Sequence, residues 1–184
     1  MPVKCITPLL LACLFCTALT AQKVYTKNGK ISFFSKSTVE NISADNNGVV
    51  SVLDQSSGDL QFSVLMKGFH FRKSLMEEHF NENYVESDKF PKAVFKGRIT
   101  DLSKVKFNTD GNYEVTVTGE LTLHGVTRSV TQTGTIHVSG GTITAISTIR
   151  LRLADYRISI PAVVKSNVAE VVEVTIDCIY DQKM

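Results

Sequence analysis

Apolar and polar residues alternate with a period of two along most of the chain after residue 22. The clearest segment has one apolar and one polar face: Tyr113, Val115, Val117, Leu121 and Leu123 against Glu114, Thr116, Thr118, Glu120, Thr122 and His124. Segments 60–66, 130–138 and 172–180 alternate in the same way. Because successive side chains of a strand point to opposite faces, this pattern indicates strands with one buried and one solvated side.

Short turn sequences separate these segments, so neighbouring strands are expected to be antiparallel. The candidate turns are Asn28-Gly29, Asn46-Asn47-Gly48, Ser57-Gly58, Asp110-Gly111 and Gly140-Gly141. Strands fit less cleanly at 29–34, 38–43, 48–53, 94–102 and 142–153. We predict an all-β domain of about eight strands. Closure into a β-barrel would remove the exposed edges, and a sandwich is the alternative.

One segment departs from the alternation. Ser74-Leu75-Met76-Glu77 has the sequence of a capping box, in which Ser74 caps the helix start and Glu77 reaches back. The apolar face of the helix would then carry Leu75, Met76, His79, Phe80 and Tyr84. We predict one short helix at about 75–84, ended before Phe90-Pro91, with His79 as a core histidine.

The first 21 residues have a different composition from the rest. Lys4 is their one charged residue, and residues 5–19 are almost wholly apolar or small. A short basic segment followed by an apolar stretch of this length is typical of a secretory signal peptide. We predict cleavage after Ala21, so that the mature domain is 22–184. A cut after Thr20, or lipidation at Cys13, is the alternative.

Composition and motifs narrow the function. The chain has 20 Lys and Arg against 18 Asp and Glu, which gives no basic excess for nucleic acid. Cys178 is the one cysteine outside the predicted signal peptide, and its place on an apolar strand face predicts a small buried hydrophobe. The sequence has no nucleophile motif, no phosphate loop and no histidines at metal-ligand spacing. We therefore predict neither an enzyme nor a cofactor or metal.

Three arginines near the C-terminus form a small basic group. Arg150, Arg152 and Arg157 could meet an anionic head group. A solvated outer strand face is the simpler interpretation.

Bulky apolar residues crowd one third of the chain: Phe62, Met66, Phe69, Phe71, Leu75, Met76, Phe80, Tyr84, Phe90 and Phe95. They could form a packed core under the helix, or they could line a cavity. A barrel of this size can be filled by its own side chains or can hold one small ligand. Composition alone does not separate these two interpretations.

The stretch Gly119–Thr127 has the distinctive sequence GELTLHGVT, and Ser87–Phe95 and Glu173–Asp177 are less distinctive. Together these three segments resemble the YceI-like family of bacterial polyisoprenoid-binding proteins, the first most specifically. The resemblance implies a lipocalin-like barrel with a long internal tunnel, exported to the periplasm. The chain departs from the family pattern at 166–171, before the last strand. We expect His124-Gly125-Val126-Thr127 to be a structural corner of its hairpin, with a role at the barrel mouth as the alternative.

On this resemblance we expect an apolar lipid of the polyisoprenoid or isoprenoid quinone type to bind inside the barrel, with at most transient membrane contact. The expected ligand-binding residues are Phe62, Val64, Met66, Phe69, Phe71, Leu75, Met76, Phe80, Phe95, Val115, Val117 and Leu121. The alternative is a barrel with a packed interior that acts through its surface, as an envelope stress or partner-binding module. The sequence leaves the oligomeric state open.

Overall fold

The chain closes into a single antiparallel β-barrel in a computed structural model that describes residues 23–37, 40–161 and 168–184. The strands and helix of these residues are β1 (Lys23–Ser35), β2 (Ile42–Asp54), β3 (Asp59–Leu65), β4 (His70–Phe71), α1 (Ser74–His79), β5 (Lys92–Ile99), β6 (Gly111–Leu123), β7 (Val126–Ser139), β8 (Thr142–Arg152), β9 (Val171–Tyr180) and β10 (Gln182–Lys183). The predicted signal peptide, including Cys13, lies outside the described residues.

Eight long strands form the barrel in the order β1-β2-β3-β5-β6-β7-β8-β9, and β9 pairs back with β1. The two-residue strands β4 and β10 extend the sheet beside β2 and β1. Every pairing is antiparallel, as the short predicted connections require. The predicted all-β barrel with one short helix is therefore confirmed.

Two of the predicted turns are wrong. Asn28-Gly29 lies inside β1 and Asn46-Asn47-Gly48 lies inside β2, where the register between the two strands shifts. These residues form a bulge, which bends a long strand pair as barrel closure requires. By contrast, Gly140 and Gly141 have φ of 55° and 80° and make the predicted hairpin turn.

The helix covers the predicted residues, but it begins differently. Helix α1 continues into a π-helical turn at Phe80–Tyr84. Lys73 is the N-cap residue and no side chain caps the start, so the predicted capping box is wrong. The carboxylate of Glu77 instead accepts a hydrogen bond from the Phe71 amide at 3.1 Å, because β4 lies directly before the helix. His79 is exposed, so it is not a core histidine.

The barrel interior has two different halves. We call them the helix end, where β3 ends at Leu65 and β6 ends at Leu123, and the packed end, where β2 ends at Asp54 and β7 ends at Ser139. The packed end is filled by fully or almost fully buried side chains, which are Val49, Leu53, Ile99, Val138, Cys178 and Tyr180.

The polar side chains at the packed end are either hydrogen-bonded or uncharged. The hydroxyls of Ser51 and Tyr180 form a buried hydrogen bond of 2.8 Å. Burial raises the pKa of the Cys178 thiol to about 12, so the thiol stays protonated at neutral pH. Cys178 is free and fully buried, as predicted from its strand position. None of the helices in the described part of the chain is long and apolar enough to cross a membrane.

Candidate functional site

The helix end of the barrel encloses a cavity of about 270 Å³. Its volume lies near the lower end of the range of about 300–1,000 Å³ that is typical of ligand pockets. The wall is almost entirely aliphatic and aromatic, because the inward-facing positions of all eight barrel strands are apolar apart from a few small or amide side chains. None of the residues that fill the packed end reaches the cavity, so the hollow does not run through the barrel.

All but one of the residues expected to bind ligand lie in this wall: Phe62, Val64, Met66, Phe69, Phe71, Met76, Phe80, Phe95, Val115, Val117 and Leu121. Leu75 is the exception. Its side chain is 59% exposed and lies outside the cavity, because it sits on the solvent side of α1 while Met76 and Phe80 face the barrel.

Four phenylalanines hold the helix over the barrel mouth. The ring centroid of Phe33 in β1 lies 5.6 Å from those of Phe69, Phe71 and Phe80. Phe80 in turn lies 5.7 Å from Phe69 and 5.1 Å from Phe71. Such tilted and stacked contacts stabilise the cap beyond the area that they bury. The cap and the cavity wall are therefore built from the same residues.

Sequence reasoning missed the opposite wall of the cavity. That wall is formed by β7, β8 and β9 and by the turn after β8, and its members include Val130, Gln132, Ile149, Leu151, Leu153, Ile158, Val172, Val174 and Ile176. Alternation had already placed several of them on an apolar face. The signal was present, but the predicted site was confined to the aromatic cluster and to inward-facing residues of β3 and β6.

His124 ties the helix end together. His124 and Gly125 form the β6–β7 turn with φ of 51° and 71°. The side chain of His124 is only 9% exposed, and Nε2 lies 2.7 Å from the carboxylate of Glu86. Its Nδ1 lies 3.0 Å from the Tyr156 carbonyl, and Phe90 packs edge-on at 4.6 Å. These contacts are those of a structural corner.

The barrel wall opens on one side. Strands β7 and β8 pair only between Thr135–Ile146 and Ser139–Thr142, although β7 pairs with β6 as far as Val126 and β8 pairs with β9 as far as Arg152. The cavity wall contains residues from both unpaired edges, so the cavity reaches this opening.

Side-chain contacts close the two ends of the opening. At one end the Ser147 hydroxyl donates to the Thr133 carbonyl at 2.7 Å. At the other end Nε of Arg128 donates to the Asp155 carbonyl at 3.0 Å. The gap between β7 and β8 is therefore bounded, and it forms a side window in the barrel rather than a split.

No group of three or more His, Cys, Asp and Glu side chains in the described ranges is placed to hold a metal ion. The cavity itself offers apolar contact and a few neutral polar groups. What the arrangement can do chemically is to take an apolar molecule out of water.

Comparisons with known proteins agree with this architecture. A family model, the YceI-like domain, matches residues 22–179. A polyisoprenoid binding domain from Saccharophagus degradans, implicated in plant cell wall breakdown, has a similar fold with a TM-score of 0.75 and 13% identity, covering 88% of this chain and 98% of its own. Burkholderia cenocepacia BcnA follows with a TM-score of 0.67 and 16% identity, covering 82% and 95%.

A third similar structure is the Campylobacter jejuni YCEI protein, with a TM-score of 0.55 and 13% identity over 99% of this chain and 92% of that one. No curated protein sequence matches the chain. At these identities the solved structures show a shared fold.

Proposed function

Because this chain belongs to the YceI-like family and its barrel is hollow at one end, we propose that it binds the apolar chain of an isoprenoid-type lipid in the cavity. The observation that carries the proposal is the cavity wall, which leaves about 270 Å³ unfilled among apolar side chains. Burial of apolar surface stabilises a complex by about 25 cal/mol per Å². Affinity would therefore come from many diffuse contacts.

The ligand class rests on the family and on one neighbour. The Saccharophagus degradans structure is described as a polyisoprenoid binding domain, and its fold is similar over 88% of this chain. A polyisoprenoid or an isoprenoid quinone has the narrow, branched, apolar chain that suits a wall of phenylalanine, valine and leucine. The role is binding without catalysis.

We further propose that the protein works outside the cytoplasm, as a carrier or reservoir. The composition of residues 1–21 supports export, and the mature domain would be 22–184. A carrier must release its ligand, which favours binding by apolar contact over a covalent or metal link.

The direct test is to identify what the protein carries. Protein purified without denaturant from its own host is measured by native mass spectrometry, and the bound fraction is extracted into organic solvent. We expect an adduct that the solvent removes and that has the mass of an isoprenoid lipid. A clean spectrum of the unliganded protein would contradict the proposal.

A pair of tryptophan variants separates a ligand cavity from a packed interior. Val117 lines the cavity, and Glu120 lies on the exposed outer face of the same strand. We expect Val117→Trp to remove the lipid adduct and to lower the free energy of unfolding by less than about 1 kcal/mol. Overpacking of a filled core costs about 1–3 kcal/mol instead. Equal lipid occupancy in Val117→Trp and the control Glu120→Trp would argue against a cavity ligand.

A further inference from the structure

The side window between β7 and β8 has a polar group on its inner edge. Gln132 alternates with outward-facing neighbours on β7 and lines the cavity. Within the ranges that the structure describes, its side-chain amide makes no hydrogen bond. Gln132 is half-buried, and its amide is free to donate a hydrogen bond to a ligand atom at the opening. The neighbouring Ser147 hydroxyl is not available in this way, since it donates to the Thr133 carbonyl.

The outer edge of the window is positively charged. Arg150 and Arg152 lie on the exposed face of β8 and alternate with Ile149 and Leu151, which line the cavity. No carboxylate of the described chain lies within 4.0 Å of either guanidinium, even though Glu173 is the cross-strand neighbour of Arg150.

The opposite edge of the window, on β7, carries one cation, Arg128, at the end where its Nε donates to the Asp155 carbonyl. Between that end and Thr133 the edge presents Ser129 and Thr131, which are exposed and uncharged. Among the described residues, no carboxylate pairs with Arg150 or Arg152, and both lie directly outside an apolar cavity.

This combination fits an amphiphile with an anionic head. Arginine presents a planar fork of N–H donors that matches the oxygens of a phosphate, and it is less strongly hydrated than lysine. Building on the lipid-binding function proposed above, we propose that the window seats the phosphate head group of the bound lipid. Arg150 and Arg152 contact the phosphate oxygens, and Gln132 lies at the neck where the head group joins the buried chain.

The test compares two probes that share a chain and differ in the head group, farnesyl phosphate and farnesol. Binding of each is measured by calorimetry at fixed ionic strength, because salt screens exposed charges. In the double variant Arg150→Gln/Arg152→Gln we expect farnesyl phosphate to bind at least about tenfold more weakly, since charge-assisted hydrogen bonds are lost. Farnesol should bind as it does to the wild type.

A matched control removes the same charge elsewhere. Lys27 and Lys106 are exposed and lie outside the window and the cavity wall. We expect Lys27→Gln/Lys106→Gln to bind both probes as the wild type does.

Inorganic phosphate distinguishes a lipid head-group site from a site for the free anion. Alone, it should give no saturable binding, because the two arginines are solvated until a chain fills the cavity beside them. Saturable binding of inorganic phosphate at concentrations similar to those of farnesyl phosphate would overturn the proposal.

The outcomes separate the two proposals. If the wild type binds neither probe, the lipid-binding function fails, and the head-group site fails with it. If the wild type binds both probes, and the arginine variant weakens both equally or neither, the head-group site alone is overturned.

Discussion

His124 contacts three separate parts of the chain, so its substitution should lower the stability of the fold. It contacts Glu86, the Tyr156 carbonyl and Phe90 from within a tight turn. We expect His124→Ala to lower the free energy of unfolding by about 1–3 kcal/mol, because a buried carbonyl and a partly buried carboxylate lose their partner. Urea denaturation measures the change.

Two comparison variants isolate the cause. His124→Asn keeps a residue type that tolerates φ of 51° but shortens the reach, so it should lose somewhat less stability than His124→Ala. His137→Ala removes a hydrogen bond that lies at the surface, and a change within about 0.5 kcal/mol is expected. If His124→Ala also changes the free energy of unfolding by no more than about 0.5 kcal/mol, the contacts of His124 do not stabilise the fold.

Single residues were the hardest to place from the sequence. Strand residues such as Val115 and Cys178 were placed correctly, because a period of two leaves each side chain only two directions. Leu75 and His79 in the short helix were misplaced, since the face that meets the barrel is narrower than the predicted one and consists of Met76, Phe80 and Tyr84. Gln132 gave no signal, because its missing partner can be seen only in three dimensions.

At the scale of one element, the bulge in β1 depends on a close contact. A Cβ atom on Gly29 would lie 2.5 Å from Sγ of Cys178 and 3.1 Å from the Val49 carbonyl. We expect Gly29→Ala to lower the free energy of unfolding by about 1–3 kcal/mol through overpacking. The measurement is a double-mutant cycle with Cys178→Ala, in which a coupling of about 1 kcal/mol should appear because the sulfur is removed.

Gly48→Ala is the control for the bulge. Its Cβ would meet only the Asn46 side chain, at an ordinary distance of 3.7 Å, so little change is expected. Additive effects of Gly29→Ala and Cys178→Ala would contradict the contact.

The sequence Asn28-Gly29 predicted a turn because turns and bulges favour the same residue types. Here the bulge forms, because β1 pairs with β2 on both sides of Gly29 and so continues as one strand.

At the scale of the whole molecule, the order of strands was predictable and the hollow was not. Alternation and turns led to an antiparallel barrel, and the family resemblance led to a tunnel. The cavity lies at the helix end, and side chains such as Leu53 and Ile99 fill the other end. Whether inward-facing side chains meet across a barrel depends on strand tilt and stagger, which local sequence does not encode.

A cavity closed at one end should limit the length of ligand chain that contributes to affinity. Each buried methylene contributes about 0.8 kcal/mol, but only while the chain still finds apolar wall. Across geraniol, farnesol and geranylgeraniol we therefore expect affinity to rise steeply and then to level off once the cavity of about 270 Å³ is full. Carbons beyond that length stay in water, so they add little.

The side chains at the packed end set the ligand length at which affinity levels off. Truncating one of them should therefore increase that length. Leu53 is fully buried and pairs across strands with Leu60, which lines the cavity. We expect Leu53→Ala to shift the plateau to a longer alcohol, at a cost of about 2–5 kcal/mol in unfolding free energy. Leu65→Ala, at a position that is 51% exposed, should leave the plateau unchanged. An affinity that rises by the same factor with each added isoprene unit in the wild type would instead indicate a tunnel open at both ends.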